Sequence, residues 1–152
     1  MVVPHGVPRR TRCGAAPDVA VFDTAPFPES LDLAGPAYLW VRVGSTAVTA
    51  DVFVRVLDVS PDGSAHLVLR GQAEILAPDE GVLRRIELGH TGYRVRAGHR
   101  LRLQLASADF PEYVLNLGTG ENRWLAEKLE PAVHTLVTDR DAPVRLDLTV
   151  LG

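Results

Sequence analysis

The stretch that decides the fold is AYLWVRVGSTAVTADVFVRVLDVSPDG, residues 37–63. In its first part Leu39, Val41 and Val43 alternate with Tyr38, Trp40 and Arg42, and a period of two describes a strand with two unlike faces. The pattern returns at Val52, Val54 and Val56, opposed by Phe53, Arg55 and Leu57. Ser60-Pro61-Asp62-Gly63 then stops the run, because proline presets φ and glycine accepts a positive φ, as a tight turn requires. The chain must reverse there, and residues 65–75 supply the antiparallel return. Outward from this hairpin the same reasoning predicts strands at residues 83–90, 93–96, 100–105, 133–138 and 144–150. The last is the most regular, with Val144, Leu146, Leu148 and Val150 on one face and Arg145, Asp147 and Thr149 on the other. Many short strands joined by glycine and proline turns predict an all-β antiparallel sandwich or barrel rather than βαβ units. One window, residues 121–130, places Leu125 and Leu129 four apart around the helix formers Ala126, Glu127 and Lys128. At most one short helix, or a collapsed loop, is expected there.

A chain of 152 residues, 46% hydrophobic and 23% charged, has the composition of one folded domain with its own core. Residues 1–17 read as an N-terminal arm and residues 18–152 as the domain. The net charge of -3 supplies no cationic field for nucleic acid or anionic lipid, so neither is an expected partner. The one basic cluster, Pro8-Arg9-Arg10-Thr11-Arg12, reads as a solvated linker. Cys13 is the only cysteine, which rules out an internal disulfide and makes a reducing, cytoplasmic compartment the simplest reading, with secretion left open. The start, residues 1–7, lacks the charged opening and apolar run of a signal peptide. No window approaches the ~20 apolar residues of a membrane-spanning helix.

Several ordered blocks carry a resemblance. They are Pro17-Asp18-Val19-Ala20-Val21-Phe22-Asp23-Thr24-Ala25-Pro26, Leu31-Asp32-Leu33-Ala34-Gly35-Pro36, Leu57-Asp58-Val59-Ser60-Pro61-Asp62-Gly63, Ala97-Gly98-His99-Arg100-Leu101-Arg102-Leu103 and Ser107-Ala108-Asp109-Phe110-Pro111. Together they resemble the C-terminal domain of the cocaine-esterase and X-Pro dipeptidyl-peptidase hydrolases, the CocE/NonD group. The resemblance implies a β jelly roll of galactose-binding-like topology, which in that family accompanies an α/β-hydrolase domain with a Ser-Asp-His triad and a helical cap. It further implies that the jelly roll packs on the catalytic domain and helps wall the acyl or aminoacyl pocket. This chain departs from the family pattern in the corner after Pro111, where Val114 and Leu115 replace polar positions and Gly118-Thr119-Gly120 lacks the usual amide. Thr49 likewise stands where the family has the first acid of an Asp-x-Asp pair ending at Asp51.

A catalytic function has no support within the chain. A hydrolase elbow needs Gly-x-Ser-x-Gly, and the nearest fragment, Val43-Gly44-Ser45-Thr46-Ala47, lacks that pattern and reads as a turn. His5, His66, His90, His99 and His134 are scattered without metal-motif spacing, and Asp58, Asp62, Asp79, Glu80 and Asp109 show no ligand spacing that demands calcium. The close carboxylate pairs Asp109/Glu112 and Asp139/Asp141 lie in turn-like contexts where Asp bonds its own backbone. No cofactor is expected.

The residues left over form a candidate interface: Asp109, Phe110, Pro111, Tyr113, Asn116 and Trp124. Asp109 is expected to pin the corner by accepting local backbone N–H groups. Phe110 and Tyr113 either pack inside their own sandwich or meet a partner, and Trp124 is the stronger exposed anchor. The expected role is therefore a non-catalytic accessory domain or split subunit of a serine hydrolase, with self-association a second outcome. The alternative is a free-standing carbohydrate- or ligand-binding module, which would need an open aromatic platform.

Overall fold

The computed structural model describes residues 19–76, 78–138 and 144–152. The arm with its basic cluster, His5 and Cys13, and the Asp139/Asp141 pair, lie outside the described residues. Strands follow the chain as β1 (Ala20–Asp23), β2 (Leu31–Val41), β3 (Val43–Ser45), β4 (Thr49–Val59), β5 (Ala65–Leu76), β6 (Arg84–Val95), β7 (Arg100–Ala106), β8 (His134–Leu136) and β9 (Arg145–Val150). Among the described residues the strand pairings are antiparallel. A first sheet runs β1-β7-β4-β5, a second β6-β2-β9, and β3 pairs with β8 in a short ribbon.

The sequence periods become the two inner faces. Leu33, Ala37, Leu39 and Val41 of β2, with Ile86, Leu88, Leu146 and Leu148 beside them, are buried. They belong to one apolar cluster with Val52, Val54 and Val56 of β4, Leu69 and Ile75 of β5, and Leu101, Leu103 and Leu105 of β7. Burying such side chains contributes roughly 1.5–3 kcal/mol each, which is what holds two sheets face to face. The expected antiparallel sandwich is thus observed, and among the described residues there is neither a helix nor, consequently, a helix long and apolar enough to cross a membrane.

Three details differ from the sequence reading. The strand expected from residue 37 begins six residues earlier at Leu31, passing through Gly35 and Pro36. The two strands expected at residues 83–90 and 93–96 are one, β6, because Gly89 takes a φ of 82° at an irregularity in the β2/β6 register and lets the strand continue. The 121–130 window takes the second of its two expected forms, a loop with one turn in which the Leu125 and Ala126 N–H groups donate to the Asn122 carbonyl.

Candidate protein interface

On β4 the inward residues Val52, Val54 and Val56 are buried as a core strand requires, but Thr49, Asp51 and Phe53 on the opposite face are buried too. Something must cover that outer face. The cover is residues 107–133, the connection from β7 to β8, which lies across the β4–β5 pair and runs antiparallel to β4.

The cover is attached rung by rung. At the Arg55/Arg70 pair, Asp109 forms an ion pair with Arg55 and lies 3.6 Å from Arg70, while Glu112 lies 3.7 Å from Arg70. At the next rung the Tyr113 ring meets Phe53 with centroids 5.1 Å apart and an interplanar angle of 46°, and the Arg70 guanidinium sits 5.5 Å from the Tyr113 centroid. At the Asp51/Glu74 rung, Asn116 donates to Asp51 at 3.1 Å and accepts from the Thr49 hydroxyl at 2.9 Å and the Gly118 N–H at 3.0 Å. Arg123 closes the same rung, donating to both Asp51 oxygens at 3.0 and 3.2 Å and to Glu74 at 2.7 Å. These bonds to Asp51 and then Glu74 hold the Arg123 guanidinium above its ordinary pKa, against opposing burial. Finally the Val48 N–H donates to the Gly118 carbonyl at 3.1 Å.

The six candidate residues therefore divide. Asp109, Tyr113 and Asn116 face their own sheet, and Asp109 pins the corner through arginine side chains rather than the expected backbone N–H groups. Phe110, Pro111 and Trp124 face outward, with Phe110 71% and Trp124 76% exposed. Leu125, Leu129 and Val133 are exposed on the same connection, so it turns several apolar side chains outward while Asp109, Asn116 and Arg123 bond to the sheet. Of the departures noted in the sequence, Thr49 makes a polar contact, its hydroxyl donating to the Asn116 side-chain oxygen. Arg55, Arg70 and Arg123 were missed in the sequence. Their signal is the outward set Asp51, Phe53 and Arg55, whose charges mirror those of the loop in reverse order.

The remaining candidates serve local structure. Asp58, 2% exposed, accepts from the Tyr93 hydroxyl at 2.8 Å and lies 2.9 Å from His99 Nδ1. Asp62 accepts from the Ser64 N–H and hydroxyl, Asp79 from the Gly81 N–H, and Ser45 from the Ala47 N–H. Among the described residues no three His, Cys, Asp or Glu side chains converge as metal donors. Trp40 is no open platform: its Nε1–H donates to Asp147 at 2.7 Å, and the Arg145 and Arg85 guanidiniums stand 4.9 and 6.0 Å from its ring.

Comparison with known proteins follows the same outline. Residues 14–147 match the family model described as the X-Pro dipeptidyl-peptidase C-terminal non-catalytic domain. The chain is 26% identical over 147 residues to the cocaine esterase of Rhodococcus sp. (strain MB1 Bresler), covering 88% of this chain and 26% of that protein. Among solved structures it resembles an aminopeptidase from a marine sediment Thaumarchaeota archaeon, with a TM-score of 0.83, 23% identity, and coverage of 91% of this chain and 27% of the other. An α-amino acid ester hydrolase gives a TM-score of 0.82 at 22% identity, covering 89% of this chain and 26% of the other. A CocE/NonD family hydrolase from Staphylococcus aureus gives 0.66 at 17% identity, covering 88% of this chain and 30% of the other. The structural likenesses concern the fold, and the chain spans about a quarter of the length of the cocaine esterase it matches.

Proposed function

The chain belongs to the family of X-Pro dipeptidyl-peptidase C-terminal non-catalytic domains, and from that premise we propose that it is the accessory domain or split subunit of an α/β-hydrolase-type serine hydrolase acting on acyl or peptidyl bonds. In this reading the 107–133 connection docks on the catalytic domain, completes the wall of its substrate cleft and stabilises the assembly. The observation that carries it is the division of labour within the connection. Asp109, Asn116 and Arg123 are spent in bonds to β4 and β5, while Phe110, Trp124, Leu125 and Leu129 stand outward on the segment those bonds hold in place. Exposed aromatic side chains on a preorganised backbone are what a docking surface needs, since little entropy remains to be lost on binding.

The position of the connection agrees. Ala20 pairs with Leu105, so the start of β1 lies beside the root of the loop. The test is capture by the tagged chain from its source lysate, followed by fluorophosphonate labelling of active serine hydrolases. A labelled partner that is lost with the Trp124→Ala/Leu129→Ala double variant is the expected result. A folded chain that captures no labelled hydrolase overturns the reading.

A further inference from the structure

No residue of the 107–133 connection belongs to the apolar cluster between the two sheets, and none of its half-buried side chains packs against that cluster. Among the described residues, one backbone hydrogen bond joins the connection to the sandwich between its roots, from the Val48 N–H to the Gly118 carbonyl. Its other backbone bonds are its own: the Tyr113 N–H donates to Asp109, the Leu125 and Ala126 N–H groups to Asn122, and the Glu130 N–H to Leu117. The connection therefore hangs on its side chains.

Those side chains hold by charge of reciprocal sign. Asp109 and Glu112 bring negative charge to Arg55 and Arg70 of the sheet, and Arg123 brings positive charge to Asp51 and Glu74. Tyr113 on Phe53 adds an aromatic rung between the two charged ends. Solvent reaches the pairs, because the Arg55, Arg70, Glu74 and Glu112 side chains are between 42% and 65% exposed. Mobile ions can therefore screen them, and the screening length falls from ~30 Å at 0.01 M salt to ~3 Å at 1 M. The sheet beneath tolerates uncovering as well. Thr49, Asp51 and Arg55 regain water in place of the connection, Phe53 alone of that face is apolar, and Val52, Val54 and Val56 stay within the core on the other side. A segment fixed by few backbone bonds and no core contact is the kind that opens locally, ahead of global unfolding.

We propose that residues 107–133 form a strap that opens as one unit while the sandwich stays folded, and that ionic strength sets the balance between its closed and open forms. The closed strap holds Phe110, Trp124, Leu125 and Leu129 in one outward array, and the open strap does not. Salt thereby regulates docking on that array: the contacts are apolar and feel no screening, yet binding weakens with salt because the docking-competent form is depleted. This last consequence rests on the accessory-domain reading, whereas the opening itself is a property of the chain alone.

Amide hydrogen exchange of the full chain with no partner present, read residue by residue by NMR in sodium chloride from about 0.01 M to about 1 M, tests the opening. The Val48, Gly118 and Glu130 amides are the reporters, since their acceptors are the Gly118 carbonyl, the Asn116 side chain and the Leu117 carbonyl. They should exchange roughly threefold faster or more at the higher salt, in step with one another, while the amides of β2 and β6 keep their rates. Asp109→Asn/Glu112→Gln, which removes the charges at one end, should speed the reporters at low salt and flatten their salt response. Phe53→Leu, which weakens the aromatic rung and leaves every charge, should speed them and keep the response, with β2 and β6 protection showing that each variant is folded. Reporters that exchange only at the pace of β2 and β6, reporters that respond to salt independently of one another, or a salt response equal in wild type and Asp109→Asn/Glu112→Gln would overturn the proposal. Hydrolase capture is scored separately, so either result can fail alone.

Discussion

Asp51 sits on a strand, nearly buried, yet its carboxylate takes three hydrogen bonds from residues 65 and 72 positions away. A charged group in that position is tolerable only because Arg123 and Asn116 replace its lost water. Replacing Arg123 with methionine keeps the length of the side chain and removes the charge, leaving two buried acceptor sites unmet. A loss of about 1–3 kcal/mol in denaturant unfolding is expected, with the aliphatic packing preserved. Asp58 makes a parallel case at the far end of the same strand, where Tyr93 and His99 occupy one oxygen each. Burial, and then the hydrogen bond to Asp58 and its charge, push the Tyr93 phenol above its ordinary pKa. The raised value means that the neutral phenol is the form the fold selects. Its contribution is therefore complete below the unfolded pKa of about 10 and is lost as pH rises through the folded value. Tyr93→Phe should cost about 1–3 kcal/mol at neutral pH. The same variant should also flatten the stability profile above pH ~10, where the wild type declines. Unfolding curves at pH 7 and in the alkaline range check both signs.

The strands and the long connection obey different rules, and this is why the sequence disclosed them unequally. Alternation at Leu39, Val41 and Val43, and again at Val52, Val54 and Val56, is a local signal, and each of these residues is buried. The connection is held instead by pairs such as Arg55 with Asp109 and Tyr113 with Phe53, partners 54 to 60 residues apart that no local period records. Individual residues still showed through. Trp124, preceded by a polar run, read as exposed and is exposed, whereas Phe110 and Tyr113 looked alike and separate, because only Tyr113 falls over a β4 rung with an aromatic partner. The helix-forming letters of residues 121–130 yield to tertiary bonds: Arg123 is drawn to Asp51 and Glu74, and the Glu130 N–H to the Leu117 carbonyl. Gly118 marks the crossing of these two stretches. It has a φ of 78°, and a Cβ there would lie 3.2 Å from both the Ala47 Cβ and the Glu130 carbonyl oxygen. Gly118→Ala should therefore destabilise by about 1 kcal/mol or more and raise amide exchange across residues 114–130 while leaving β2 and β6 protected. Equal loosening of the core strands would show that the crossing does not anchor the loop.

Over the whole molecule the apolar cluster is central, and the ion pairs stand where one element must be fastened to its neighbour. Asp23 joins the four-residue edge strand β1 to β7, with Arg102 at 2.7 and 2.8 Å and Arg100 at 3.3 Å. Asp32 joins β2 to β6 through Arg94 at 2.5 and 2.6 Å, and Asp51 joins the connection to β4. Among these elements β1 has only half-buried residues and depends on its last side chain. Burial draws the Asp23 carboxyl upward, and the hydrogen bonds and charge of Arg102, then of Arg100, more than offset it and hold it below the usual carboxylate range. Arg94 lowers Asp32 against weaker desolvation, and the Ser64 backbone N–H and hydroxyl lower Asp62. A depressed carboxyl stabilises the fold above its unfolded pKa of about 4 and loses that contribution as pH falls through the lower folded value. Stability should accordingly decline below pH ~4, and the decline should have an Asp23 component that a substitution can remove. Asp23→Asn lowers the denaturant midpoint at pH 7, where the wild-type carboxylate is ionised and paired. As the pH falls through the folded pKa of Asp23 the wild type loses the same interaction, so the two midpoints should converge. A difference that stays constant with pH would mean that Asp23 holds β1 through neutral hydrogen bonding alone, and that the charge of Arg102 and Arg100 adds nothing to the edge of the sheet.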